Sequence, residues 1–185
     1  KDIFHFFREY NPYMRYWIED IKEGESAFDN KDKTKRPHRI VNGEIIYNQN
    51  KNGDKYTRCY WNKVCPCIHT RNDIFASQST IHPEEDRVFS IRELMKIMSV
   101  PDSFKWSNIS LEKLNSLSFK EKKKFLKDNE NNIRQILGEA VPTLVFEKIA
   151  KNITRYLDSN LNKIELNKLI KYKSLNKFEN LKKFI

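Results

Sequence analysis

The sequence predicts an α+β chain in which a small strand-rich module precedes a run of helices. Two observations carry this. Between Arg39 and Tyr47 the apolar residues flank an Asn42-Gly43 pair, the pattern of two strands closed by a tight primed turn. After His82-Pro83 the apolar period lengthens to that of a helix, and two Ser-x-x-Glu capping boxes, Ser90 with Glu93 and Ser118 with Glu121, mark helix starts.

Taken in order, Tyr10, Tyr13, Met14, Trp17 and Ile21 fall at helical spacing with Gly24 beyond them, which predicts a leading amphipathic helix. Ser26 to Arg36 is polar, carries Lys31, Lys33, Lys35 and Arg36, and is expected as a loop. Asn52-Gly53 offers a second turn ahead of Tyr56 to Trp61, extending the strand-rich module to about Thr80. The next helix carries an apolar stripe of Ile91, Leu94, Met95 and Met98 and stops before Pro101, which cannot continue it. In the lysine-rich helix that Ser118 opens, Phe125 and Leu126 are expected to face inward. Pro142 suits a helix start because its missing N–H is not needed there, and Val145, Ile149, Ile153 and Tyr156 line one face of the long helix beyond it. Leu161 to Ile185 keeps apolar residues among lysines and packs as helices or frays. The expected segments are residues 1–35 (leading helix and basic linker), 36–86 (strand-rich module), 87–157 (helical segment) and 158–185 (C-terminal helical tail).

A length of 185 residues suits one compact domain or two small ones. With 38% hydrophobic, 32% charged and 12% aromatic residues, the composition predicts a folded chain with a thin core and argues against wholesale disorder. No apolar run approaches the roughly 18 residues of a membrane span, and the opening Lys1-Asp2-Ile3-Phe4-His5 lacks a signal-peptide layout. The chain also begins without Met, so a trimmed or partial protein in a cytoplasmic, bacterial setting is the expectation. Three cysteines, Cys59, Cys65 and Cys67, are an odd set that argues against a disulfide framework and for reduced thiols. The net charge of +10, from 35 Lys and Arg against 25 Asp and Glu, favours a polyanion such as nucleic acid, although a biased genome also produces lysine-rich chains.

The run Arg87-Val88-Phe89-Ser90-Ile91-Arg92-Glu93-Leu94-Met95-Lys96-Ile97-Met98-Ser99-Val100-Pro101-Asp102-Ser103-Phe104 resembles the ninth conserved motif of the DNA cytosine-5 methyltransferases. That pattern has an Arg, a short strand, Arg-Glu at the opening of a helix, and a closing proline, acid and aromatic. Downstream, Gln135-Ile136-Leu137-Gly138-Glu139-Ala140-Val141-Pro142 resembles the family's tenth motif, with Glu139 standing where most members have Asn. An amide that donates and accepts is replaced there by an acceptor-only carboxylate. The resemblance covers roughly Arg36 to Tyr156. It implies the C-terminal part of a bacterial-type enzyme, in which a recognition module is followed by helices that complete a Rossmann-like methyltransferase domain.

The resemblance implies site residues as well. Glu139, Ala140 and Val141 are expected to approach S-adenosyl-L-methionine mainly through main-chain atoms. Gly138 and Pro142 shape the turn, and Arg87, Arg92 and Glu93 brace the recognition module against the catalytic domain by bidentate ion pairing. The segment Trp61 to Gln78 resembles strands of the family that meet DNA, so Thr70, Arg71, Asn72, Ser77 and Gln78, joined by Arg58, are the expected contacts to double-stranded DNA. For each one singly, the competing reading is a polar loop that caps a sheet. The family's Pro-Cys-Gln nucleophile segment, its Phe-x-Gly-x-Gly cofactor loop and its Glu-Asn-Val acid do not occur in this sequence. Pro66-Cys67 is followed by Ile68 and lies too late in the family order. The chain alone is therefore expected to be inactive and to need an N-terminal catalytic half, on the same chain or on a separate subunit, to methylate a flipped cytosine in a restriction-modification setting. The rival expectation is a stand-alone DNA-binding or regulatory remnant. A protein-interaction domain with no DNA role would show no salt-dependent duplex binding. Cys65, Cys67 and His69 alternate and would share a face of a strand, but without a second closely spaced pair packing is a better account than zinc. The run Lys120, Lys122, Lys123, Lys124 and Lys127 is expected to be a solvated helix face.

Overall fold

Pro12 at the first helical position, capped by Asn11 through a 3.1 Å bond from the Tyr13 amide, starts α1 (Pro12–Tyr16). The computed structural model describes residues 2–48 and 55–158; the expected Asn52-Gly53 turn and the tail from Leu161 lie outside them. α1 does not run on to Ile21 as the spacing predicts. The Ile18 and Ile21 carbonyls, which a longer helix would direct along its own axis, instead accept from the Arg58 guanidinium at 2.8 Å each. A tertiary donor thus outcompetes the next helical turn. Gly24 ends the segment at φ +77°, with the Tyr60 ring where a Cβ would stand.

The hairpin forms as predicted. Strands β1 (His38–Val41) and β2 (Glu44–Tyr47) pair antiparallel, His38 opposite Tyr47 and Val41 opposite Glu44, and Asn42 and Gly43 both take positive φ as a type I′ turn requires. A lone hairpin is marginal in water. This one is anchored at its base, where His38 packs edge-on against Tyr13 with ring centres 5.0 Å apart and lies beside Trp17 and Tyr47. The strands expected from Tyr56 onward are absent. Between Lys55 and Val88 only isolated bridges occur, Ser26 to Thr57, Lys55 to Gln78, Arg58 to Ile81 and Ile81 to Val88. Tyr56 and Ser79 sit in the left-handed region, which interrupts any extended run through them.

Helix α2 (Ile91–Ile97) begins in the predicted capping box, with the Glu93 amide on Ser90 Oγ at 3.2 Å and the Ser90 amide on Glu93 Oε2 at 2.7 Å. It ends at Met98, before Ser99 turns to positive φ and Pro101 follows. A short helix that the sequence reading missed, α3 (Leu111–Ser116), is capped by Ser110 and offers Asn115 Oδ1 to the Ile3 amide at 2.8 Å. Helix α4 (Phe119–Glu139) starts in the second capping box and buries Leu126, Ile133 and Leu137, while Phe125 is half-buried. α2 packs on α4 and on the N-terminal turn Ile3–His5. These elements enclose one apolar cluster around Phe89, Leu94 and Met95, and a second cluster gathers Trp17, Ile18, Phe75 and Ile81 beneath the hairpin side.

By contact the chain divides into two units, Lys1–Pro142 and Thr143–Ile185. In the second, α5 (Thr143–Asp158) is the long helix expected after Pro142, and Val145, Ile149, Ile153 and Tyr156 are exposed along it. No helix among the described residues is long and apolar enough to cross a membrane.

Candidate nucleic-acid interface

The motif at Arg87–Phe104 builds a rigid base from its charges. Arg87 donates from Nη1 and Nη2 to the two Glu93 oxygens at 2.8 and 2.9 Å, and to Glu85 from Nε and Nη2 at 2.9 Å each. Burial alone would raise the Glu93 carboxyl, but the Arg87 fork and the Ser90 amide hold it at about 2. Arg92 donates to Asp2 Oδ2 at 2.6 Å and to Asp102 Oδ1 at 3.0 Å, tying the first residues to the end of the motif. The expected bidentate pairing is present, yet every carboxylate in it belongs to this chain. His82, buried next to Arg87 and kept below the usual histidine range by that burial and that charge, accepts the Glu84 and Glu85 amides at Nδ1.

Two of the predicted DNA contacts are corrected by burial. Arg58 is 3% exposed, and all five of its N–H donors are taken, by the Ile18, Ile21, His82 and Glu85 carbonyls and by Asp86 Oδ1 at 2.6 Å. It organises the loops and has no donor left for a base or a phosphate. Asn72 is completely buried; its Nδ2 donates to the His69 and Arg134 carbonyls at 2.7 and 2.9 Å, and its Oδ1 accepts from Arg134 Nη1 at 3.2 Å. Thr70, Arg71 and Gln78 are exposed, and Ser77 is half-buried. Arg71 is held at one end, its Nε on Asp73 Oδ1 at 3.0 Å, while its side chain is 69% exposed.

Arg134, which the sequence reading did not single out, is the hub of this region. It lies 1% exposed inside α4, pairs with Glu130 at 2.7 Å, and reaches Asn72 and the Phe89 carbonyl at 3.0 Å. Its spacing of four residues from Glu130 was the available signal. One turn further on, Gly138 lies beneath the His69–Thr70 backbone, and a Cβ there would stand 2.4 Å from the His69 carbonyl carbon and the Thr70 nitrogen. Only a glycine lets the loop cross α4 so closely. The loop bearing Thr70 and Arg71 and the helix bearing the Gln135–Pro142 motif are therefore a single packed piece.

Of the remaining motif residues, Gln135, Glu139, Ala140 and Val141 are open to solvent. Gln135, Gly138 and Glu139 are the last turns of α4, whose cap is Ala140 in extended conformation, and Glu139 Oε1 accepts from Gln135 Nε2 at 2.9 Å. Glu139, Ala140 and Val141 are exposed, and Pro142 is half-buried. Cys65, Cys67 and His69 share no strand face, because no strand forms there; Cys59 is buried, Cys65 intermediate and Cys67 exposed. Among the described residues no group of His, Cys, Asp and Glu is placed to hold a metal ion. In the predicted lysine run Lys122 is buried, while Lys120, Lys123, Lys124 and Lys127 are exposed.

The family model for C-5 cytosine-specific DNA methylases matches residues 5–155, and the chain belongs to that family. Over 158 residues it is 28% identical to the Type II methyltransferase M1.HgaI of Avibacterium volantium, a match that covers 80% of this chain and 38% of that protein. It is also 32% identical over 106 residues to the Type II methylase M.HgiDII of Herpetosiphon aurantiacus, covering 57% of this chain and 25% of that one. The DNA (cytosine-5)-methyltransferase CMT3 of Arabidopsis thaliana matches over 61 residues at 34% identity, 33% of this chain and 7% of that protein. The chain thus spans well under half the length of these relatives. No solved structure matches it.

Proposed function

We propose that this chain is the C-terminal part of a DNA (cytosine-5) methyltransferase, carrying target recognition and one wall of the S-adenosyl-L-methionine pocket for an N-terminal catalytic half. The observation that carries the reading is the joint between Thr70–Arg71 and α4, sealed by Gly138 and by the reciprocal Asn72 and Arg134 bonds. It makes the loop that would meet DNA and the segment that would meet the cofactor move as one body. Family membership and the two relatives named as Type II methylases support the enzyme class and a restriction-modification role.

Each part of the chain has a task in this reading. Thr70, Arg71, Ser77 and Gln78 offer hydroxyl, guanidinium and amide groups to backbone and base edges of double-stranded DNA, phosphate contacts setting register and base contacts setting choice. A cytosine must leave the stack before carbon 5 can be reached, so the recognition surface also holds the opened duplex. S-adenosyl-L-methionine, when bound, supplies the methyl group. The exposed Ala140–Val141 segment, extended at Ala140, would offer its main chain to one side of that group, with the rest of the enclosure coming from the catalytic half. Glu139 accepts from Gln135, so its carboxylate is turned along the helix, and the substitution of the usual Asn leaves the main-chain role open. α5 carries Leu144, Val145, Phe146 and Ile149 exposed, an apolar surface that in this reading the catalytic half covers.

The test is methyl transfer from radiolabelled S-adenosyl-L-methionine to mixed-sequence DNA, with the chain alone and with a matching catalytic half added in trans. Transfer that needs both is expected. Transfer by this chain alone sinks the division of labour, and absence of transfer with both, while duplex binding persists, favours a DNA-binding remnant.

A further inference from the structure

Asp73 joins two arginines that are distant in sequence. Its Oδ2 accepts from Arg8 Nη1 at 2.7 Å and its Oδ1 from Arg71 Nε at 3.0 Å, while the Tyr10 hydroxyl donates to its carbonyl at 3.0 Å. Both carboxylate oxygens are thereby occupied and turned toward the guanidiniums. Burial alone would raise the Asp73 carboxyl, but Arg71 and then Arg8 reverse this and keep it ionised. Above it opens a pocket of about 510 Å³ lined by Arg8, Thr70, Arg71, Asn131, Arg134 and Gln135.

The charge in this pocket is unequal. Arg134 is neutralised by Glu130, so Arg8 and Arg71 against Asp73 leave two positive charges and one negative, a net of +1. Among the described residues Arg71 Nη1 and Nη2, and Arg8 Nε and Nη2, make no hydrogen bond, and neither does the exposed Thr70 hydroxyl. A carboxylate that fixes one edge of each guanidinium aims the other donors without a further loss of side-chain freedom on binding. Free donors that converge from two arginines and a threonine on one concave site suit a convex, tetrahedral anion better than the flat edge of a base, which calls for a side chain that protrudes into a groove.

We infer that Arg8, Arg71 and Thr70 form a binding site for one backbone phosphodiester of duplex DNA, with Asp73 as its positioning residue. This rests on the reading that the chain binds DNA and commits Arg71 to the backbone, so sequence choice falls to its neighbours. It also brings the N-terminal segment, which carried no predicted contact, into the interface.

Titration of the unmodified chain with a mixed-sequence duplex over a salt series tests it. The Arg8→Ala/Arg71→Ala double variant should flatten the slope of log K against log salt by about 0.9, the value of one phosphate contact. Lys113→Ala, on the exposed side of α3, should leave the slope as it is. Because the double variant strands a buried carboxylate, the Arg8→Ala/Arg71→Ala/Asp73→Ala triple is measured beside it and should show the same loss. A folded double or triple variant with the parent slope overturns the phosphate site while leaving DNA binding in place. An unmodified chain without salt-dependent duplex binding removes the reading of the chain itself, and the site with it.

Discussion

In the base of the larger unit, Arg58 and Arg87 lie buried with all their donors on carbonyls and carboxylates of the same chain, and Arg134 lies buried with its Nε and Nη1 held in the same way by Glu130, Asn72 and Phe89; on the loop that crosses α4, Arg71 stands in solvent with one edge tied to Asp73. Four residues of the same chemistry therefore divide into two populations. A buried guanidinium must have its donors met, since an unpaired charge in the interior costs several kcal/mol, and once they are met nothing remains for a ligand. The exposed one keeps free donors and can trade water for phosphate. Net charge counts both populations alike, which is why a figure such as +10 overstates the charge that the surface can offer to a polyanion.

The sharpest way to break this comparison is to treat an arginine of the base as though it belonged to the loop. Arg58→Ala should lower stability by about 3 to 5 kcal/mol in urea unfolding, the range for removing one partner of a buried charged network. If it unfolds normally and only loses duplex affinity, the division is wrong. Acid should expose the same base. Glu93 is held at about 2, below its ordinary 4.5, so its contribution is fully present above pH 4.5 and is lost as pH falls toward 2. The loss should amount to roughly 3 kcal/mol over that window, and Glu93→Gln should flatten that part of the stability profile measured by urea midpoints.

Gly138→Ala sharpens the comparison at the joint between the two regions. Its Cβ would meet the His69–Thr70 backbone at 2.4 Å, so a stability loss of about 1 to 3 kcal/mol is expected from overpacking, together with weaker duplex binding as the loop is lifted from α4. Weakened folding with unchanged DNA affinity would uncouple loop from helix. The smallest effect belongs to Lys123→Ala. Its pair with Glu9 lies in open solvent, and no measurable shift of the unfolding midpoint is expected.

Local chemistry made the helices legible. Ser90 and Ser118 with their glutamates, and Pro142 ahead of α5, act over three or four residues, and α2, α4 and α5 begin where those signals stand. The Asn42-Gly43 turn was equally readable, because positive φ at two successive positions demands such residues. The reading failed where a distant partner intervened. α1 is short because Arg58 takes the Ile18 and Ile21 carbonyls, and the strands expected after Tyr56 are replaced by loops whose polar groups are satisfied from elsewhere in the chain.

The candidate site divides along the same line. The residues of both methyltransferase-like motifs, the exposed Thr70, Arg71 and Gln78, and the capped helices around them were all apparent in the order of the amino acids. Which polar side chains face solvent was not. Asn72 and Arg134 bond across 62 positions and Arg92 and Asp2 across 90, so their fates follow from contacts that exist only once the chain has closed on itself. Sequence determined where α2, α4 and α5 start, because caps and turns are short-range; tertiary structure alone decided which charges are buried, because a guanidinium enters the interior where the folded chain brings acceptors to meet it.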